Sequence, residues 1–416
     1  MNTTKSFNIS KQVVWKAYKR VKANKGAAGV DEETIKDFEK NLKDNLYKIW
    51  NRMSSGSYVP PPVRMVEIPK KDKGSRVLGV ACVSDRVAQT VVKMYLEPEI
   101  EPYFYEDSYG YRPGKSALDA VGKARERCWR YDWVLDLDIQ KFYDTIDREL
   151  LMRAVRKHTN SKWIILYIER WLKAPIKTTD GQLQFMEKGV FQGNVISPLL
   201  ANLFLHYVLD VWLKRNYPNN PYERYADDEL VHCRTLTEAK EMWVAIERRL
   251  AECGLKLHSE KTKIVYCKDG QRKLAYHNKE FDFLGFTFRA RTAKTRWGKM
   301  FTNFSPAISD KATKDARNII RTWCLPKCTG HKVEELAQII NPITRGWIGY
   351  YGSFYKSKLA SIFLQLDYAL VRWAEKKYKR LKGSRRNATK WLKRIATQEP
   401  TMFVHWQITY QPKMTE

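Results

Sequence analysis

Three aspartates set the terms on which this chain can fold. Asp138 ends the stretch YDWVLDLD, and Asp227 and Asp228 sit side by side in RYADDELV, 89 residues further on. Both stretches read as strands. Trp133, Leu135 and Leu137 alternate with Val134, Asp136 and Asp138, which puts Asp136 and Asp138 on one face. The second stretch reads as a hairpin with the acid pair at its tip, where adjacent like charges repel. An isolated Asp-Asp pair is usually a solvated turn, so the inference depends on the two strands converging. If they do, three carboxylates meet on one sheet, a costly arrangement unless cations neutralise them. Oxygen-only ligands select a hard ion: Mg²⁺, with Mn²⁺ as a substitute. Two such ions about 4 Å apart clamp the attacking and leaving oxygens of an in-line phosphoryl transfer.

The rest of the chain agrees with a polyanionic substrate. Its 75 Lys and Arg against 46 Asp and Glu give a net charge of +29, more than solubility requires. The excess is uneven: residues 287–416 hold 26 basic and 8 acidic residues, well over half of it in under a third of the chain. This is the pattern of a nucleic-acid grip beside a catalytic module. At 416 residues the chain is too long for one ordinary core, so two or three domains are expected. No apolar run reaches the length of a membrane span, and MNTTKSFNIS lacks the features of a secretory signal. Seven scattered cysteines argue against a disulfide framework and for a reducing cytoplasm.

Hydrophobic spacing predicts helices over much of residues 8–55, with Val13, Val14, Ala17, Tyr18 and Val21 near one face and a break at Gly26 and Gly29. The run Pro60-Pro61-Pro62 is a loop. VRMVEIPKKDKGSRVLGV predicts two strands around a turn, followed by a helix capped by Ser84 or Asp85. A long apolar helix opens near Pro198, with Ser197 or Asn194 as its cap. Gly254 ends another helix. EKTKIVYC and FDFLGFTFRARTA are expected strands, and beyond about residue 305 the chain reads as mostly helical.

LDLDIQKFYD, GVFQGNVISPLLAN, RYADDELV, GLKLHSEKTKI and FLGFTF, in that order and spacing, resemble the sequence blocks of reverse transcriptases of the group II intron kind. IPKKDKGSRVLGVACVSDR and SYGYRPGKSALDAV resemble earlier blocks, and KANKGAAGVD the block before the fingers. INPITRGWIGYYGSF, RWAEKKYKRLKG and PTMFVHW look like the maturase-type thumb and its basic tail. The resemblance runs from about residue 12 to 410. It implies an α+β right-hand polymerase with a helical N-terminal extension (1–60), fingers (61–125), palm (126–290), a helical thumb or maturase domain (291–370) and a basic tail (371–416).

The resemblance also implies roles. Asp138, Asp227 and Asp228 are the metal-binding acids, assisted by the backbone carbonyl of Ile139. Asp136 shares the strand face, but the family pattern favours the second acid of DLD. Tyr143, where Phe is commoner, screens the 2′ position of the sugar. Lys70 and Arg76 grip the incoming triphosphate, as an ammonium and a guanidinium flanking a tight turn can. Gln192 and Gly193 line the nucleotide and template pocket, with Phe191 where the family usually has Pro. Lys376, Lys377, Lys379, Arg380, Lys382, Arg385 and Arg386 are too dense for a simple solvated face and are expected to hold phosphates. The implied partners are a structured intron RNA, an RNA template, a DNA primer or target, and dNTPs; no membrane is involved. A chain ending at Glu416 without paired CxxC motifs would not cut target DNA itself.

Other residues read more plainly. Cys324, Cys328 and His331 supply only three ligands, too few for structural zinc. His206 and His232 flank apolar segments and are expected to pack. Trp347, Tyr350, Tyr351, Phe354 and Tyr355 are expected thumb core. Two rivals to the intron enzyme remain: an RNA chaperone that does not polymerise, disfavoured by the intact acids, and a domesticated enzyme of DNA repair or phage defence.

Overall fold

The computed structural model describes residues 5–69, 75–295 and 297–410. Their strands are β1 (Val63–Pro69), β2 (Ser75–Val80), β3 (Trp133–Asp138), β4 (Ile176–Lys177), β5 (Leu183–Gln184), β6 (Tyr222–Tyr225), β7 (Asp228–Cys233), β8 (Lys263–Tyr266), β9 (Glu280–Phe283), β10 (Phe286–Lys294) and β11 (Met300–Ile308). The chain divides into two compact units. The first comprises residues 1–116, 137–229 and 240–262; the second comprises 117–136, 230–239 and 263–416. One four-stranded sheet has the order β6-β7-β3-β8.

The first unit opens with the helix Lys11–Asn24, capped by the Ser10 hydroxyl, which accepts from the Gln12 amide. It buries Val14, Ala17, Tyr18 and Val21, the face its spacing predicts. The next helical stretch is two helices, Ile35–Lys40 and Leu42–Ser55, separated at Asn41. Thr34 and Asp37 form a capping box at its start. The antiparallel pair β1–β2 is extended by β4 and β5 in the order β2-β1-β4-β5. The helix Val83–Ile100 has no side-chain cap, contrary to the expectation for Ser84 or Asp85. Asp85 is instead buried and accepts hydrogen bonds from Tyr58 (2.7 Å), Trp171 (2.8 Å) and Gln89 (2.9 Å). Burial pushes its carboxyl above the usual range, and the three donors oppose that push.

The apolar helix near Pro198 starts at Ser197, also without a side-chain cap. At His206–Asp210 it loosens into a π turn before resuming over Val211–Asn216. Such turns are frequent at functional sites, and the last residue of this one, Asp210, is the buried partner of Arg224.

In the second unit β3 pairs antiparallel with β8, with Trp133 opposite Tyr266 and Asp136 opposite Lys263. The run FDFLGFTFRARTA is not one strand. It turns at Leu284 and Gly285, both at positive φ (51° and 81°), so that β9 and β10 form a hairpin. Two successive positive-φ residues are the signature of a tight hairpin turn, and Gly285 takes the position most hostile to a side chain. The strand β11 then pairs with β10 along all nine residues. The helices Asp310–Thr322, Val333–Tyr355, Ala360–Lys377 and Arg385–Gln398 share one core with Phe403 and Trp406. Of the expected thumb aromatics, Tyr350, Tyr351 and Phe354 pack on Phe286, and Trp347 stacks on Trp323 at 6.0 Å. Both His206 and His232 are buried, as expected. Among the described residues, no helix is long and apolar enough to cross a membrane.

Candidate active site

The three acids lie together within the first unit. Asp138 ends β3, and the segment after Gly254 holds it in place. The His258 amide donates to the Asp138 carbonyl (2.8 Å), the Asp138 amide donates to the Thr262 hydroxyl (3.3 Å), and Lys261 Nζ stands 3.1 Å from Asp138 Oδ2. The neighbouring Ile139 is buried and bridges to Leu257. Asp136, two residues back in the second unit, is instead 3.8 Å from Lys263. Alternation placed both acids on one face, and each answers to a different lysine.

Asp227 and Asp228 lie on the turn from β6 to β7. That turn passes through Ala226 at φ 58°, a left-handed conformation that costs an ordinary residue about 1 kcal/mol or more. Arg224, fully buried, holds it there. Its Nη1 donates to the Ala226 carbonyl (3.1 Å) and to Asn202 Oδ1 (3.0 Å); Nη2 donates to Ser108 Oγ (2.9 Å) and Asp210 Oδ2 (2.6 Å); Nε donates to Asp210 Oδ1 (2.7 Å). A guanidinium has five N–H donors in a fixed fork, and here five acceptors meet them. Burial alone would push the Asp210 carboxyl up, but Arg224 more than offsets this and holds it below the usual range. The backbone is fastened as well: the Arg224 amide donates to the Asp107 carbonyl (2.9 Å) and the Tyr109 amide to the Arg224 carbonyl (2.8 Å).

Electrostatically the tip is under pressure. Burial first, then Asp227 and Asp138, push the Asp228 carboxyl up to about 6, while Lys261 pulls it down. One residue further, Glu229 is buried with neither carboxylate oxygen hydrogen-bonded, and burial holds its carboxyl well above the usual range. A carboxylate set this crowded calls for positive charge. Three carboxylates and a peptide carbonyl are the all-oxygen set that suits a hard divalent ion. Among the described residues, however, no three metal-ligating side chains stand at ready ligand spacing. Lys261 is the cationic group placed at Asp138, on the Oδ2 side of the carboxylate.

The expected nucleotide contacts divide. Lys70 lies outside the described residues. Arg76 is placed by its backbone in β2, opposite Ile68. Gln192 and Gly193 lie against the same strand: the Gly79 amide donates to the Gln192 carbonyl at 2.7 Å, and a Cβ on Gly193 would stand 2.6 Å from the Gly79 carbonyl oxygen. At φ 103°, Gly193 also occupies backbone space that side chains avoid. Tyr143 is buried beside this loop, its carbonyl accepting from the Val190 amide (2.8 Å). Phe191 is buried with Val63, Ala174 and Ile176, so the ring anchors the loop to the β1–β4 pair.

In the second unit the expected phosphate-binding residues follow one another from the end of the helix Ala360–Lys377 into the helix Arg385–Gln398. Lys376, Lys379, Arg380, Lys382, Arg385 and Arg386 are exposed. Lys377 is half-buried and donates to the Thr329 carbonyl (2.8 Å), while Arg385 lies 3.9 Å from Glu375. The sequence pattern did not single out Arg224, Lys261 or Gly79. Arg224 and Lys261 stand inside quoted blocks, RYADD and SEKTK, but nothing in the pattern gave either a partner.

Comparison with known proteins places these features. Residues 68–288, more than half the chain, match the family described as reverse transcriptase (RNA-dependent DNA polymerase), and residues 313–392 match the group II intron, maturase-specific domain. The Escherichia coli protein YkfC is 31% identical over 323 residues, covering 67% of this chain and 80% of that protein. A putative COX1/OXI3 intron 1 protein of Saccharomyces cerevisiae is 25% identical over 87% of this chain. The group II intron-encoded protein LtrA of Lactococcus lactis is 31% identical over 49% of this chain. This chain spans 52% of the yeast protein's length and 34% of LtrA's. The sequence blocks and the acid-bearing turn agree with the family models: the chain belongs to the reverse transcriptase family and carries, after the polymerase-type region, a segment that matches the group II intron maturase-specific domain.

Proposed function

We propose that this protein is an RNA-directed DNA polymerase that also binds a structured intron RNA as a maturase, with the first unit carrying the fingers and most of the palm. The observation that carries the reading is the gathering of Asp138, Asp227 and Asp228 in one unit, where desolvation first and then the charges of Asp227 and Asp138 push Asp228 up to about 6. When bound, two divalent ions, Mg²⁺ with Mn²⁺ as substitute, supply activation of the primer 3′-hydroxyl and neutralisation of the departing pyrophosphate. Asp138, Asp227, Asp228 and the Ile139 carbonyl would hold them. Arg224 keeps the turn in its left-handed conformation. Gln192 and Gly193 form one wall of the nucleotide pocket, Arg76 on β2 and Lys70 meet the triphosphate, and Tyr143 screens the sugar 2′ position. The basic stretch from Lys376 to Arg386 holds RNA through phosphates, so recognition there is of shape more than sequence. The family matches favour intron mobility over a domesticated role.

The direct test is primer extension with purified protein, a primed RNA template, dNTPs and Mg²⁺. Labelled cDNA that needs both template and metal supports the reading; tight RNA binding with no extension under any divalent ion removes the polymerase and leaves the chaperone.

Two further outcomes are expected. Gly193→Ala places a methyl group against the Gly79 carbonyl at a strained φ, a cost of about 1–3 kcal/mol. The KM for dNTP should rise about five- to a hundredfold, with a smaller change in kcat. Steady-state extension at varied dNTP reads this, and an unchanged KM would separate Gly193 from the pocket. Replacing Lys376, Lys377, Lys379 and Arg380 together by Ala should weaken RNA binding. The slope of log affinity against log salt should fall by about 0.7–0.9 for every phosphate that is no longer neutralised. An identical slope in filter binding across a salt series would dismiss the patch as the grip.

A further inference from the structure

The β10–β11 hairpin ends in a tip that differs from its base. At the base, Phe286, Phe288 and Phe304 are fully buried, and Phe281 stacks on Phe288 at 4.7 Å. The tip is closed by backbone and side-chain bonds of its own. The Thr295 amide donates to the Lys299 carbonyl (2.8 Å), the Gly298 amide to the Thr295 carbonyl (2.9 Å), and the Lys299 amide to Thr295 Oγ1 (3.1 Å). Its side chains remain apolar where burial has ceased: Trp297 is 78% exposed, Met300 60% and Phe301 42%. Lys294 and Lys299 are exposed on either side of the turn. Lys294 leans over it, with Cε 3.5 Å from where a Cβ on Gly298 would stand. Between Leu284 and Ser309 the sequence holds five Lys and Arg and no acid.

The hairpin therefore presents an exposed indole on a turn flanked by two exposed lysines, with no acid in its sequence. We propose that this tip is a binding surface for unpaired nucleotides, in which the Trp297 ring stacks on a base and Lys294 and Lys299 contact the flanking phosphates. The inference rests on the nucleic-acid reading above and adds a site to it. Charge complementarity selects the occupant: a polyanion satisfies both lysines, and every base offers a flat face to the ring whatever its identity. Met300 and Phe301 follow the turn on β11, where successive side chains alternate between the two faces, so each face of the tip keeps one exposed apolar side chain. An interfacial membrane anchor would require a broad apolar face, and three side chains on a hairpin tip do not make one. The shared chemistry is a base on a phosphate backbone, so RNA and DNA strands are both sources.

The test uses the full-length protein and short labelled single strands of RNA, of DNA, and of an abasic oligomer with the same number of phosphates. Trp297→Ala should weaken binding of the base-bearing RNA, the DNA or both by about five- to a hundredfold and leave the abasic oligomer unaffected. Trp297→Phe should retain most of the affinity. The pair Lys294→Ala and Lys299→Ala should weaken all three and lower the salt slope by about 0.7 for each phosphate that is no longer neutralised. Whichever base-bearing strand loses more affinity names the source. The proposal is overturned if Trp297→Ala binds base-bearing strands as wild type does, or weakens equally on the abasic oligomer. It is also overturned if the variant loses only its affinity for phosphatidylcholine–phosphatidylserine vesicles, which would make the tip a lipid-binding element. Primer extension by the wild type keeps the two ideas apart: stacking without extension overturns the polymerase and leaves the surface standing.

Discussion

Asp227→Ala is expected to lower cDNA synthesis by on the order of a thousandfold or more. The carboxylate would hold a divalent ion whose stabilisation of transition-state charge is worth several kcal/mol, and each 1.36 kcal/mol is a factor of ten in rate. Misfolding would give the same loss, and stability separates the two. Asp227 contributes, after burial, to the push on the Asp228 carboxyl. Removing it relieves a like-charge repulsion on Asp228 in the folded protein, so the melting temperature should stay close to that of the wild type. RNA affinity should change little, because the proposed grip, from Lys376 to Arg386, does not include Asp227. An inactive variant that melts as wild type does, or later, assigns the loss to chemistry. Extension at the wild-type rate would remove Asp227 from the metal site.

Arg224→Ala is expected to fail for the opposite reason, through structure. Asp210 would be left fully buried with its guanidinium gone, a loss of about 3–5 kcal/mol. For a unit of this size, that lowers the melting temperature by roughly 6–20 °C. The pH dependence has a definite sign. Asp210 has a depressed folded-state pKa, so the stability it contributes is present above its unfolded value near 4 and is lost as pH falls below it. Thermal melts of wild type and variant should therefore differ most near neutral pH and converge in acid. Replacing both partners by apolar residues, Arg224→Met with Asp210→Leu, should recover most of the stability, because no charge is left stranded. It should not recover polymerisation, since the hydrogen bond to the Ala226 carbonyl is still missing. Recovery of both would show that Arg224 stabilises the fold without positioning the turn.

Sequence patterns carry well where the cause is local. Alternation along YDWVLDLD placed β3. The acids of RYADD fell on a turn, and the 3.6-residue rhythm of KQVVWKAYKRV buried the expected face. Pattern failed where a distant group overrode local preference. Asp85 looked like a helix cap, yet Tyr58 and Trp171, 27 and 86 residues away, hold it in the interior. In FDFLGFTFRARTA the apolar positions run 281, 283 and then 284, 286, 288, and the one-residue slip at Leu284, followed by Gly285, marks a reversal that composition alone hides. Lys70 lies outside the described residues, so a joint grip of Lys70 and Arg76 on a triphosphate stays with the proposal.

The sequence by itself determined the chemistry on offer: three acids on strand-type segments, a basic C-terminal third, and an ordered series of blocks that name a family. Side-chain type and spacing are written in the chain and survive any folding detail. Only the tertiary structure decided which acid meets which cation and what holds the turn in place. Asp136 and Asp138 share a strand face but go to Lys263 and Lys261 respectively. The guanidinium of Arg224 reaches acceptors 14, 22 and 116 residues away in sequence. Those partners are selected by packing in three dimensions, where a fixed fork of donors and a buried carboxylate must find each other or pay for desolvation.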